Sequence, residues 1–77
     1  MQVVFNNPMM YVIDYPAEDA VEILDKRAGR VGLMQGATAD RFRREFNEFL
    51  SEERDEDQLA DFMDAYSAVM NHSALRH

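Results

Sequence analysis

Ala20-Val21-Glu22-Ile23-Leu24-Asp25-Lys26-Arg27-Ala28-Gly29-Arg30-Val31-Gly32-Leu33-Met34-Gln35-Gly36 is the stretch that decides the fold. Val21 and Ile23 share one face with Glu22 opposite, the two-residue period of a strand over residues 20–26. Leu24, opposite Val21 and Ile23, implies that the other face also meets something apolar at that end. Asp25 to Arg30 reads as a tight hairpin, with Gly29 placed for the left-handed conformation that follows a type I turn in short loops. Residues 30–35 then pair back as the last strand, and Gly36 stops it.

Working towards the N-terminus, residues 9–15 bring Tyr11, Val12, Ile13 and Tyr15, and Pro16 closes the run. Residues 2–5 make a shorter strand, ended by the turn Asn6-Asn7-Pro8. Towards the C-terminus the period changes. Ala39, Phe42, Phe46, Phe49 and Leu50 form one apolar stripe of a helix over residues 38–51, with Thr38 as its expected N-cap. A second helix is expected over 55–71. Asp55 with Gln58 resembles a capping box, and Leu59, Phe62, Met63, Tyr66, Val69 and Met70 supply the buried face. Residues 72–77 are left as a tail. The expected fold is α+β: a single domain over residues 1–77, with a three- to four-stranded antiparallel meander under an α-helical hairpin packed on one sheet face.

A 77-residue chain buries only ~60% of the surface its unfolded form exposes, so its stability margin is thin. Small domains make up such a deficit with disulfides, a metal or a partner subunit. Cysteine is absent, and His72 and His77 both lie at the C-terminal end, too few strong ligands for a structural zinc site. Self-association is the route left open. No apolar run approaches the ~20 residues of a membrane span, and the first residues lack the basic start and apolar stretch of a signal peptide. The expected address is cytoplasmic.

Chemistry has little to work with. Glu52, Glu53, Asp55, Glu56 and Asp57 crowd into one turn and helix start, without the alternating ligands and central glycine of a calcium loop. They read as a solvated cap on the positive end of the helix dipole. Gly29, Gly32 and Gly36 are spread over a hairpin and make no phosphate-binding loop. No histidine is held near Ser51, Ser67 or Ser73 by any motif. The expectation is a chain that is not an enzyme and takes no cofactor, metal or evident small-molecule ligand.

Charge is more informative. Six of the eight basic residues, Lys26, Arg27, Arg30, Arg41, Arg43 and Arg44, fall between positions 26 and 44, whereas positions 45–64 carry nine carboxylates and one base. Arginines near the start of the first helix oppose its dipole, so these charges are expected to serve some purpose beyond the helix. Those six residues are the candidate interaction surface. A net charge of -7 argues against nucleic acid, whose affinity rests on long-range attraction to phosphate. A protein partner, or a second copy as a homodimer, is the better expectation, with a nucleic-acid-binding regulator as the alternative.

Met1-Gln2, Glu22 to Lys26, Arg30, Gly36-Ala37, Ala39, Phe42-Arg43, Asp61-Phe62 and the final His77 together resemble a small, mainly betaproteobacterial family catalogued as domain of unknown function 3567. The likeness runs the whole length. It implies this strand-then-helix order and a bacterial cytoplasm, and it implies no reaction. Two departures stand out. Asp19-Ala20 occupies the place of a common Gly-Gly, and the usual Leu-His ending reads Leu75-Arg76-His77.

Overall fold

The structure, a computed structural model, describes residues 1–70 and the backbone of residues 72 and 73. Its elements are β1 (Gln2–Asn6), β2 (Met10–Tyr15), a 3-10 turn (Pro16–Glu18), β3 (Ala20–Asp25), β4 (Arg30–Gln35), α1 (Gly36–Ser51), α2 (Glu56–Ala65) and a two-residue β5 (His72–Ser73). The strands lie in sequence order in one sheet, each antiparallel to the next. Four strands thus form the expected meander, and two helices pack against it as an α+β fold.

Register decides which side chains meet the helices. Val12 pairs with Ile23 and Ile23 with Gly32; Asp14 pairs with Val21 and Val21 with Met34. Because side chains alternate across a strand, these rows share the covered face. Val12, Val21, Ile23 and Met34 are buried there with Phe42, Phe46, Phe49, Leu59 and Met63 from the helices. Phe62 of α2 meets Phe42, Phe46 and Phe49 at ring-centroid separations of 5.9, 5.7 and 5.1 Å, and Tyr66 meets Phe42 at 5.1 Å. Contacts that move back along α1 as α2 advances are those of an antiparallel helix pair.

The β3–β4 turn follows from two residues. Gly29 has φ +64°, the left-handed region that glycine enters without steric cost. Asp25, only 7% exposed, accepts hydrogen bonds from the backbone N–H groups of Arg27 (3.0 Å) and Ala28 (3.4 Å). Its side chain also takes Nε and Nη2 of Arg27 at 3.1 and 3.0 Å.

Gly32 answers a different need. A Cβ on it would lie 2.1 Å from the carbonyl oxygen of Val69, so only glycine lets the chain after α2 lie flat on β4.

Several boundaries differ from the sequence reading. α1 begins at Gly36, not at Thr38, and its N-cap is Gln35 with no side-chain cap; the Gly36 N–H is satisfied instead by the Asp19 carbonyl at 3.0 Å. The expected helix over 55–71 stops at Ala65. Bonds from Tyr66 to Met63, Ser67 to Asp64, Val69 to Tyr66 and Met70 to Ser67 tighten the chain into three-residue turns. Those turns set the Val69 backbone on Gly32 and bury Met70. The N-terminus of α2 is as read: Asp55 Oδ1 accepts from Gln58 N at 2.9 Å, and Gln58 Oε1 from Asp55 N at 3.0 Å. Leu50, expected in the buried stripe, is 45% exposed. Within the expected tail, His72 and Ser73 pair with Val31 and Arg30 as β5. Positions 71 and 74–77 lie outside the described residues.

Candidate interaction surface

The six basic residues do not gather into one patch. Arg43, on α1, reaches the sheet end: Nη2 to Asp14 Oδ1 at 2.8 Å, Nη1 to Asp19 and Asp40 at 3.0 and 2.8 Å, and Nη2 to the Ala20 carbonyl at 3.2 Å. This node ties α1 to β2 and to the β2–β3 connection. Arg27 bridges Asp25 and Asp64, joining the hairpin to α2. Lys26 donates to Asn6 Oδ1 and the Asn7 carbonyl at 2.6 and 2.8 Å, and lies 5.6 Å from the Tyr11 ring centre. Arg41 pairs with Glu45 along α1 at 3.2 Å. Among the described residues, Arg30 and Arg44 have no ion pair.

Two carboxylates and a phenol register these contacts. Burial works to raise the Asp25 carboxyl, but the hydrogen bonds and charge of Arg27, with the Arg27 and Ala28 amides, outweigh it and hold the group below the usual range. Glu45 is lowered by the Tyr66 hydroxyl and by Arg41. Tyr66, which donates to Glu45, is pushed up to about 12, first by burial and then by that carboxylate.

The sheet face away from the helices is a surface that charge counting does not find. Register places Tyr11 beside Leu24, Glu22 between Ile13 and Leu33, and Tyr15 beside Ala20 on it. Val3, paired with Ile13, extends it to the edge. Val3 is 49% and Leu33 53% exposed. Glu22 is the one charged side chain in these rows, and it accepts from the Tyr15 hydroxyl at 3.3 Å. The apolar character of β2 on both faces was the available signal. Tyr11, Ile13 and Tyr15 alternate with Val12, yet the sequence supplies one helix pair, which covers one face.

β1 forms the outer edge of the sheet. It pairs with β2 on one side only, with a bulge between Val3 and Phe5. Behind it, a cleft of about 160 Å³ runs between the sheet and α1, lined by Val4, Val12, Phe46 and Leu50, with Asp14 and Arg43 at one end. Those two charged groups bond each other, so the cleft offers no unpaired charge to hold a ligand.

A family described as "Protein of unknown function (DUF3567)" matches residues 1–77, the whole chain. The chain belongs to the DUF3567 family. Among curated proteins, the DUF3567 chain is similar to Protein BTH_I0359 of Burkholderia thailandensis, with 27% identity over 85 aligned positions covering all of both. No solved structure matches it. Asp19, standing where the resemblance has glycine, has φ +49°. Aspartate is among the few residues that tolerate this conformation, and its carboxylate gains Arg43 in exchange. No helix among the described residues of this DUF3567 protein is long and apolar enough to cross a membrane.

Proposed function

We propose that this protein is a non-enzymatic protein-interaction module that self-associates through the sheet surface its helices leave uncovered. The carrying observation is the band of Val3, Tyr11, Ile13, Tyr15, Leu24 and Leu33 on that face, with Glu22 within its rows, Lys26 over Tyr11 and Glu18 near Tyr15. An apolar face of this kind marks an interaction surface more often than an idle one. Small size supports the same reading, because a partner supplies the burial that 77 residues lack. Arg27, Arg41, Arg43 and Lys26 are engaged within the chain, which favours a protein partner over a nucleic-acid backbone.

Sedimentation equilibrium of the full chain across the micromolar range tests this. The expected result is a weight-average mass rising from 8.9 kDa towards twice that value. A constant 8.9 kDa at all concentrations overturns the reading.

A further inference from the structure

Resting on that self-association, we infer that the second copy stacks its open sheet face on this one with the strands reversed. Lys26 of each copy then meets Glu22 of the other. The open face has an acidic end and a basic end. Of the five carboxylates before position 26, Asp14 and Asp19 are bound by Arg43, and Asp25 by Arg27. The two left, Glu18 and Glu22, line a shallow hollow with Tyr15, Leu33 and Gln35. At the hairpin end Lys26 crosses the same face above the Tyr11 ring. Tyr11, Ile13 and Leu24 lie between the two ends.

Covering this band takes Glu22 out of water, because Ile13 and Leu33 flank it in register. A buried carboxylate without a cation is heavily penalised. Among the described residues its own chain supplies none: Glu22 accepts from the neutral Tyr15 hydroxyl and forms no ion pair. Lys26 is its counterpart. It donates to Asn6 Oδ1 and the Asn7 carbonyl, neither of them charged. An ammonium group has three N–H donors, so one remains for a carboxylate. Each copy thus brings to this face an acid that needs a cation and a cation with a donor to spare.

Reversing the strands exchanges the two. Side chains alternate across a strand, so positions 22 and 26 share the open face, ~13 Å apart along the chain. A two-fold axis lying across the strands near the Tyr11–Leu24 row brings each over the other. Such a contact is isologous and closed, and it holds two Lys26–Glu22 pairs. Tyr11 and Leu24 meet their counterparts between the pairs, with Val3 and Ile13 beside them. Stacked sheets lie ~10 Å apart, a gap that a lysine and a glutamate bridge end to end. Net charge favours the same arrangement. Ten of the fifteen carboxylates fall between positions 40 and 64, on the helices and their connection. Face-to-face stacking puts both helix layers outermost, so these charges stay apart.

Charge reversal tests the pairing in the full chain. Glu22→Lys alone, and Lys26→Glu alone, set like charges opposite each other at both contacts. Each is expected to raise the dissociation constant about tenfold or more in sedimentation equilibrium. An equimolar mixture of the two variants restores opposite charges at both contacts, and should associate within about threefold of the parent. Glu22→Gln, which keeps the shape and a partner for Tyr15, should weaken association, because it leaves Lys26 facing no charge.

Tighter association of Glu22→Gln would show that no cation meets Glu22. Parent-like association of both reversed variants would overturn the stacking geometry while leaving self-association standing. A mixture of folded variants that stays monomeric would overturn it equally. A monomeric parent removes both.

Discussion

Replacing Gly32 with alanine puts one methyl group where the chain after α2 crosses the sheet. That Cβ would lie 2.1 Å from the Val69 carbonyl oxygen, 2.6 Å from the Val69 carbonyl carbon and 3.0 Å from the Met70 Cα. Ordinary contact begins near 3.4 Å, so the Val69 peptide has to retreat by at least 1.3 Å. The obstructing atoms are backbone, and no rotamer change relieves them. Overpacking of this kind costs about 1–3 kcal/mol.

The retreat also drags on Met70, 3% exposed in the core, and full burial of such a side chain is worth about 1.5–3 kcal/mol. Losing part of that burial brings the expected total to about 3 kcal/mol, against the ~4–12 kcal/mol of stability typical for a chain of this length. Urea and thermal unfolding followed by circular dichroism read it directly. A melting point lowered by more than ~12 °C is expected, at ~4–8 °C per kcal/mol for this size. A loss below ~1 kcal/mol would show that the segment after α2 does not lie on β4.

Three further substitutions test the buried polar contacts. Arg43→Met leaves Asp14, Asp19 and Asp40 facing one another. It should cost about 2 kcal/mol in low salt, recovering partly in high salt as the repulsion is screened, and an identical loss at both ionic strengths would contradict the ion-pair account. Asp25→Asn should cost about 1–3 kcal/mol at neutral pH. Because the folded Asp25 pKa is lowered, its stabilisation is present above the unfolded value near 3.9 and fades as pH falls through the folded value. The gap between the two proteins in urea titrations should therefore close below about pH 4. Tyr66→Phe removes the hydroxyl whose folded pKa is raised to about 12. The stabilisation from Tyr66 is complete below the unfolded value of about 10 and is lost as pH climbs towards the folded one, so the phenylalanine variant should lose less stability on alkalinisation than its parent. Ultraviolet titration of the parent should show Tyr15 and Tyr66 both ionising above the usual range, with the late step that of Tyr66. Loss of the late step in Tyr15→Phe rather than Tyr66→Phe would reassign it.

Alternation and helical spacing carried the architecture. The apolar positions of residues 20–35 and the stripe at Ala39, Phe42, Phe46 and Phe49 are local patterns, and tertiary packing followed them. The end of α2 was not legible, because Tyr66, Val69 and Met70 keep helical spacing while the backbone there turns to meet Gly32. That requirement lies 37 residues away from Val69 and leaves no local sign. The reversed dipole placement of the arginines on α1 was a true signal: Arg43 gives up helix favour to reach Asp14 and Asp19. Its partners were hidden because pairing Asp14 and Asp19 with position 43 needs the helix folded back on the sheet. The uncovered apolar face was read only in part, at Leu24; the rest was written in β2, where a strand apolar on both sides is equally consistent with burial between two layers.

The mass of the intact chain in solution bears most directly on the central claim. Light scattering coupled to size exclusion, run at increasing load, should give a mass that climbs above 8.9 kDa towards its double. Val3→Lys should return it to the monomer value while keeping the parent's circular dichroism spectrum. A parent protein that stays at 8.9 kDa at every load would contradict the account.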